Sequence, residues 1–295
     1  MKKTTSRAAI VPALNFHVWQ PCNMACRYCF AEFRDTVPQL SRDKTLLRDR
    51  ALVVVREAAR AGIEKLTFVG GEPTLCPWLF DLLEASKRAG MVTMLVSNGS
   101  RLTDAWLVQH APLLDWIGLS IDSLHATTNV IVGRSVDRRI VPDGEFYRNL
   151  AYRLTSAGIR LKVNTVVSAA NWEENFSDFM AEVKPERWKV LQVLHVAGEN
   201  DAAFPACTIS AEQFGAFISR HRALVRDGLL VPEDNEAMTG SYLMVDPLGR
   251  FFDNASGAHR YSSPIWSVGW GAALAEIAVC ARRFEARGGV YDWGS

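Results

Sequence analysis

The chain has 295 residues, 48% of them hydrophobic and 22% charged, which are ordinary globular values that exclude a coiled coil or a disordered polymer. Lys plus Arg number 33 against 32 Asp plus Glu, and this net charge of +1 gives no broad electrostatic reason to bind nucleic acid or an anionic membrane. The apolar run Ala8–Phe16 is too short for a membrane span and holds Pro12, and six cysteines are too few for a disulfide scaffold, so a cytoplasmic protein with reduced thiols is expected.

In chain order, short apolar or β-branched runs at Leu14–Trp19, Lys65–Val69, Met91–Ser97, Trp116–Asp122, Leu161–Val167 and Trp188–Val193 predict six strands. Helical spacing fills the gaps at Lys44–Ala61, Trp78–Ala89, Glu145–Ala157 and Trp172–Val183, with Gly62, Gly90 and Gly158 as left-handed caps. Alternation of strand and helix implies parallel strands joined by right-handed crossovers. The expected fold is α/β, a partial (βα)6 TIM-type barrel, although an open doubly wound sheet gives a similar pattern. After about Asn200 the alternation stops. A helix over Ala211–Val225, a turn at Asp246–Gly249 within Tyr242–Phe252 and a Gly-, Ser- and Trp-rich tail complete the chain. The expected organisation is an N-terminal segment (1–12), a barrel (13–200) and a C-terminal extension (201–295) that closes it.

Cys22, Cys26 and Cys29 follow the first strand, on the first βα loop, at the end of a barrel where active sites sit. Three thiolates on one loop suit an iron–sulfur cluster; a zinc site needs a fourth ligand, for which His17 is nearest but lies within the strand. Cys76, Cys207 and Cys280 are isolated and read as buried small hydrophobes. At the same ends of the next strands stand Gly70-Gly71-Glu72-Pro73, Ser97-Asn98-Gly99 and Ser120-Ile121-Asp122-Ser123. The two glycines let the backbone approach a ligand, and ligands bind outside the carboxyl ends of parallel strands. Taken alone, Asn98-Gly99 is a turn, Asp122 a helix cap and Arg134 a surface charge.

Residues two apart in a strand share a face. Asn15 and His17, Lys65 and Thr67, Lys162 and Asn164, and Arg187 and Lys189 pair in this way, opposite largely apolar alternates. A polar face on four strands implies a polar cavity inside the barrel. Burying unpaired cations costs several kcal/mol each, so an anion of comparable charge is expected to join them, and a triphosphate with a charge of about −4 fits.

The CxxxCxxC spacing, with an aromatic before the last cysteine, resembles the signature of the radical S-adenosylmethionine (SAM) superfamily. The wider set of Leu14-Asn-Phe-His17, Glu64–Pro73, Val96–Ser100, Val130–Arg134, Asn171 with Phe176, Arg187–Val190, Gly198–Asn200, Leu230–Asn235, Ser241–Leu243 and Arg287-Gly-Gly289 resembles the viperin family, from about residue 13 to 293. Val69 and the stretch Phe252–Ser267 depart from that pattern. The resemblance implies a [4Fe-4S] cluster on Cys22, Cys26 and Cys29, and SAM held by Gly70, Gly71, Glu72, Pro73, Ser97, Asn98, Ser120 and Arg134. It also implies dehydration of a nucleoside triphosphate to its 3′-deoxy-3′,4′-didehydro form, a chain-terminating antiviral nucleotide. Lys65, Lys162, Arg187, Lys189 and Arg287 would contact the triphosphate, with Asn15, His17, Thr67 and Asn164 completing the substrate site and Tyr242 near the ribose as candidate proton donor. An external electron donor of flavodoxin or ferredoxin type is expected, with neither nucleic acid nor membrane as partner. Two other readings are a radical SAM enzyme acting on a peptide or other small molecule, which would usually carry further C-terminal cysteines, and a zinc module, which would not explain the strand cations.

Overall fold

The computed structural model describes residues 11–40 and 44–294; all but the last two residues of the expected N-terminal segment lie outside that range. The six expected strands form as β1 (Ala13–Trp19), β2 (Lys65–Gly70), β3 (Val92–Ser97), β4 (Trp116–Ser120), β5 (Arg160–Val167) and β6 (Arg187–Gln192). They pair in parallel in sequence order, with registers such as Asn15 opposite Thr67 and Lys162 opposite Arg187. The helices between them include Lys44–Arg60, Leu79–Arg88 and Gly144–Ser156. Each ends next to a glycine of positive φ, at 82° for Gly62, 77° for Gly90 and 78° for Gly158, where a side chain would be strained. Asp143 starts the last of these by accepting the Phe146 N–H at 2.9 Å, an N-cap of the usual kind.

The C-terminal extension adds strands to the same sheet. Leu230–Glu233 forms β7, parallel to β6, and Met244–Val245 forms β8, parallel to β1 at the opposite edge. The turn at Asp246–Gly249 then leads antiparallel into β9 (Arg250–Asp253) and β10 (Arg260–Pro264). The result is one ten-stranded sheet in the order β10-β9-β8-β1-β2-β3-β4-β5-β6-β7. β7 escaped notice in the sequence because it is short and contains Pro232, which its edge position tolerates. Residues from both halves, such as Leu14, Val163, Phe217, Phe251 and Phe284, share one apolar core.

Two helices are shorter than their patterns. The start of the expected helix is a turn over 169–173, and the helix begins at Ser177. The run Ala211–Val225 breaks at His221, whose Nε2 accepts the Phe176 N–H at 2.9 Å and whose Nδ1 lies 2.8 Å from the Phe217 carbonyl. His221 thus stitches the C-terminal helix onto the core around fully buried Trp188.

Candidate active site

Inward-facing residues of β1 to β6 line one cavity of about 330 Å³, with the cysteine loop at the carboxyl ends of the strands and a cluster of cations towards their amino ends. The liners recur with period two, as at Ala13 and Asn15, at Lys65, Thr67 and Val69, and at Lys162, Asn164 and Val166.

At the carboxyl end, Cys26 and Cys29 reach the cavity and Cys22 is exposed. Desolvation of the sulphur pushes the Cys22 thiol up to about 11 even though the residue as a whole is exposed, burial pushes the Cys29 thiol to about 12, and each is raised further by its neighbouring cysteines. Three close thiols that resist ionisation alone form a donor set that a bound cationic centre would deprotonate. Three thiols on one loop are a donor set that suits a multi-iron cluster, which takes its thiolates on different irons.

The loop is held from outside. Ala25 N–H donates to Gly133 O at 3.1 Å and Arg27 N–H to Val132 O at 3.0 Å. A Cβ on Gly133 would meet the Ala25 carbonyl oxygen at 2.1 Å, and its φ of 81° is one that only glycine adopts easily. Arg134 is not a surface charge but 4% exposed; it bridges Asp122 at 2.9 Å, the Ser120 carbonyl at 2.6 Å and the Cys26 sulphur at 3.7 Å. Tyr28 donates to the same Asp122 at 2.5 Å.

Gly70 and Gly71 serve a close approach, but to protein. Added Cβ atoms would lie 2.3 Å from the Trp19 oxygen and 2.1 Å from the Gln20 oxygen, so the pair lets the β2 loop dock on the cysteine loop. Glu72, buried behind it, accepts from Thr74 Oγ1 at 2.6 Å, Ser97 Oγ at 2.8 Å and Asn98 N–H at 2.9 Å, next to Pro73 at the start of a short 3-10 turn. Asn98 in turn donates to Asn23 at 2.9 Å. Of the residues expected around SAM, Ser120 and Arg134 face the cavity, while Gly70, Gly71, Glu72, Pro73, Ser97 and Asn98 form the wall behind the cysteine loop.

At the other end Lys65, Lys162, Lys189 and Arg287 line the cavity. Lys162, 7% exposed, has neither ion pair nor hydrogen bond among the described residues, and burial followed by the charges of Lys189, Lys65 and Arg187 pulls its amine well below the usual lysine range. Lys65 is lowered likewise by burial and then by Lys189, Arg187 and Arg287; its amine donates to Tyr291 OH at 2.8 Å and lies over the rings of Tyr291 and Trp293. Arg187 stands beside the wall rather than on it, donating to Gly288 O at 2.6 Å and stacking on Tyr291. The tail thus packs across the amino ends of the strands, anchored where Trp116 Nε1 donates to Trp293 O at 3.0 Å.

Sequence reasoning missed Glu233, at the end of β7. Fully buried, it meets Lys189 at 2.6 Å and Arg287 at 3.1 Å and accepts the Tyr242 hydroxyl proton. Although desolvation opposes it, these two cations hold its carboxyl down to about 2. Lys189 in turn is lowered to about 8, mainly by burial, and donates to Tyr242 OH at 3.0 Å. Tyr242, raised well above its usual value by burial, keeps its proton. The run Leu230–Asn235 carried the signal, since an acid follows an apolar strand there.

Asn15, Thr67 and Asn164 line the cavity, and the Asn164 carbonyl oxygen is buried without a partner. His17 does not join them. It packs edge-on against Phe30, Phe33 and Phe252, where burial and then His259 lower it to about 3. Strand parity put it on the inner face, but the β8–β9 hairpin, invisible to that rule, covers the end of β1. Cys76 and Cys207 are buried as expected; Cys280 is exposed.

The model for the radical SAM superfamily matches residues 18–180. An S-adenosylmethionine-dependent nucleotide dehydratase of Flammeovirga pacifica is 44% identical over 99% of this chain and 100% of its own length. A protein of that name from Lacinutrix mariniflava is 46% identical over 97% of this chain, which spans only 59% of the Lacinutrix protein. The dehydratase RSAD2 of Siniperca chuatsi is 31% identical, covering 99% of this chain and 82% of that one. Among solved structures, Streptococcus suis SuiB bound to S-adenosylmethionine has a TM-score of 0.61 at 16% identity, covering 81% of this chain and 59% of that one, a likeness of fold alone. By its family match and its near full-length relatives, the chain belongs to the radical SAM superfamily and, within it, to the viperin-like family of nucleotide dehydratases.

Proposed function

We propose that the protein is a radical SAM lyase that dehydrates a nucleoside triphosphate to the 3′-deoxy-3′,4′-didehydro nucleotide, a chain-terminating antiviral product. The observation that carries this reading is a single cavity with two cysteines at one end and four cations at the other. Its relatives carry the name S-adenosylmethionine-dependent nucleotide dehydratase. Cys22, Cys26 and Cys29 would hold a [4Fe-4S] cluster, with Ser120 and the Arg134–Asp122 pair on the SAM side. When bound and reduced, the cluster and SAM would supply the radical chemistry that takes the C4′ hydrogen, and a second electron and a proton would let the 3′-hydroxyl leave as water.

The chain's own groups supply position and charge. Lys162, without a partner of its own among the described residues, and Lys65 gain a counter-charge when a triphosphate enters, and Lys189 and Arg287 exchange part of their pairing with Glu233 for phosphate oxygens. Asn164, with an unpaired carbonyl oxygen on the cavity wall, is suited to accept a ribose hydroxyl. Tyr242 holds a proton, and Lys189, donating to its oxygen, can replace it, so the pair is suited to protonate the leaving hydroxyl. Free cysteines throughout suit a reducing cytoplasm, and among the described residues no helix is long and apolar enough to cross a membrane. An external donor of flavodoxin or ferredoxin type completes the cycle. The test is anaerobic incubation of the reconstituted protein with SAM, dithionite and each ribonucleoside triphosphate in turn. One nucleotide should lose the mass of one water with release of 5′-deoxyadenosine; cleavage of SAM with every nucleotide left intact overturns the reading.

A further inference from the structure

The reaction proposed above needs two electrons per turnover, delivered one at a time from solvent to the cysteine loop. The outer face of that loop is bound to the segment 130–141, not only at Ala25 and Arg27 but also where Asp137 N–H donates to Asn23 O at 2.8 Å, one residue from exposed Cys22. The segment tip is a fixed turn. Val136 and Ile140 exchange backbone hydrogen bonds at 2.7 and 3.1 Å, and Asp137 and Arg138 take positive φ values of 49° and 59°, which non-glycine residues adopt at a cost.

This turn exposes Arg138 and Arg139 beside exposed Arg27, with Val130, Ile131 and Ile140 more than half exposed. Asp137 is the only acid between Asp122 and Asp143. No hydrogen bond or ion pair engages these three guanidinium groups among the described residues, so three like charges stand on one exposed turn and the loop it holds. A chain of net charge +1 does not produce such a surplus by its overall basicity. Unpaired arginines around exposed aliphatics match the anatomy of a transient interface, an apolar centre with a charged rim.

We propose that the surface formed by Arg27, Arg138, Arg139, Val130, Ile131 and Ile140 is the docking site for a small acidic redox protein that reduces the cluster. This rests on the radical SAM reading. Redox encounters use small interfaces and depend on electrostatic steering for their rate, which one-signed, unpaired charge next to the cluster loop provides. No residue of the patch faces the cavity, so the chemistry itself is independent of it.

The test compares two electron sources in one assay of SAM cleavage. The reconstituted full chain is driven either by dithionite or by a flavodoxin with its reductase, in wild type, in Arg138→Glu/Arg139→Glu and in Arg138→Lys/Arg139→Lys. Dithionite-driven cleavage should be the same in all three. Flavodoxin-driven cleavage at low salt should fall roughly tenfold or more in the glutamate variant and stay near wild type in the lysine variant. The difference should shrink as salt rises. Flavodoxin-driven rates within twofold of wild type in the glutamate variant, or an equal fall in the lysine variant, overturn the proposal. Loss of binding to anionic vesicles with donor-driven turnover intact would assign the patch to a membrane surface instead. Failure of wild type to dehydrate any nucleotide with dithionite would sink the functional reading separately.

Discussion

Glu233→Gln removes the buried carboxylate that pairs with two of the cations at the basic end of the cavity. In the ligand-free protein Glu233 neutralises Lys189 at 2.6 Å and Arg287 at 3.1 Å, all three being buried. Removing one partner of a buried ion pair costs about 3–5 kcal/mol, and an amide that keeps some hydrogen bonding should fall near the low end. For a chain of 295 residues, about 3 kcal/mol lowers Tm by about 5 °C. Nucleotide binding should move the other way. At an effective dielectric of about 20, two unit charges about 8 Å apart interact by about 2 kcal/mol. Losing that repulsion should tighten triphosphate binding roughly 30-fold. The assay is thermal unfolding with and without the substrate triphosphate, backed by calorimetric titration: the variant should start lower and gain more. pH adds a sign. A carboxyl held at about 2 against its ordinary 4.5 contributes stability above about pH 4.5, lost as pH falls towards 2, so wild type should show a steeper acid limb than the variant. A variant as stable as wild type, or one that binds triphosphate more weakly, would refute the reasoning and recast Glu233 as a direct holder of substrate.

Gly133→Ala should misplace the cysteine loop, since the new Cβ would meet the Ala25 oxygen at 2.1 Å; iron bound after anaerobic reconstitution should fall severalfold while the fold, by circular dichroism, survives. Lys162→Ala should weaken triphosphate binding by about 1.5–3 kcal/mol, or roughly 10- to 150-fold, with cluster content unchanged. In wild type the depressed amines of Lys162 and Lys65 should regain protons as the anion enters, so affinity should rise as pH falls and calorimetry in buffers of different ionisation enthalpy should report net proton uptake, smaller in Lys162→Ala. His17, held near 3 against an ordinary 6.5, binds its proton more readily when unfolded, so stability should fall as pH drops from about 6.5 towards 3; His17→Phe should flatten that slope in pH-dependent denaturation.

Why some of this site was legible in the sequence and some was not follows from the range of the interactions involved. Strand parity is local, and it brought Asn15, Lys65, Thr67, Lys162, Asn164 and Lys189 to one cavity because a parallel sheet transmits a two-residue period without regard to what lies beyond it. Spacing is local too, and it gathered the cysteines on one loop. The positions of His17 and Arg187 depend on segments far along the chain: the β8–β9 hairpin that covers the end of β1, and the Gly288–Tyr291 tail that draws the guanidinium of Arg187 aside. The glycines of the β2 loop were expected to face a ligand because Gly-Gly at a strand end signals close approach, but sequence cannot say what approaches, and here it is the Trp19–Pro21 backbone. Glu233 is the most instructive case. An acid at the end of a short, proline-containing edge strand is a faint signal by itself, yet the cations on β5, β6 and the tail require a counter-charge when no anion is bound. That surplus, read as the demand of a substrate, was also the demand of the resting protein for an internal carboxylate. A basic site that must persist between turnovers implies both, so the search for such a pocket should include the acid that stands in for its ligand.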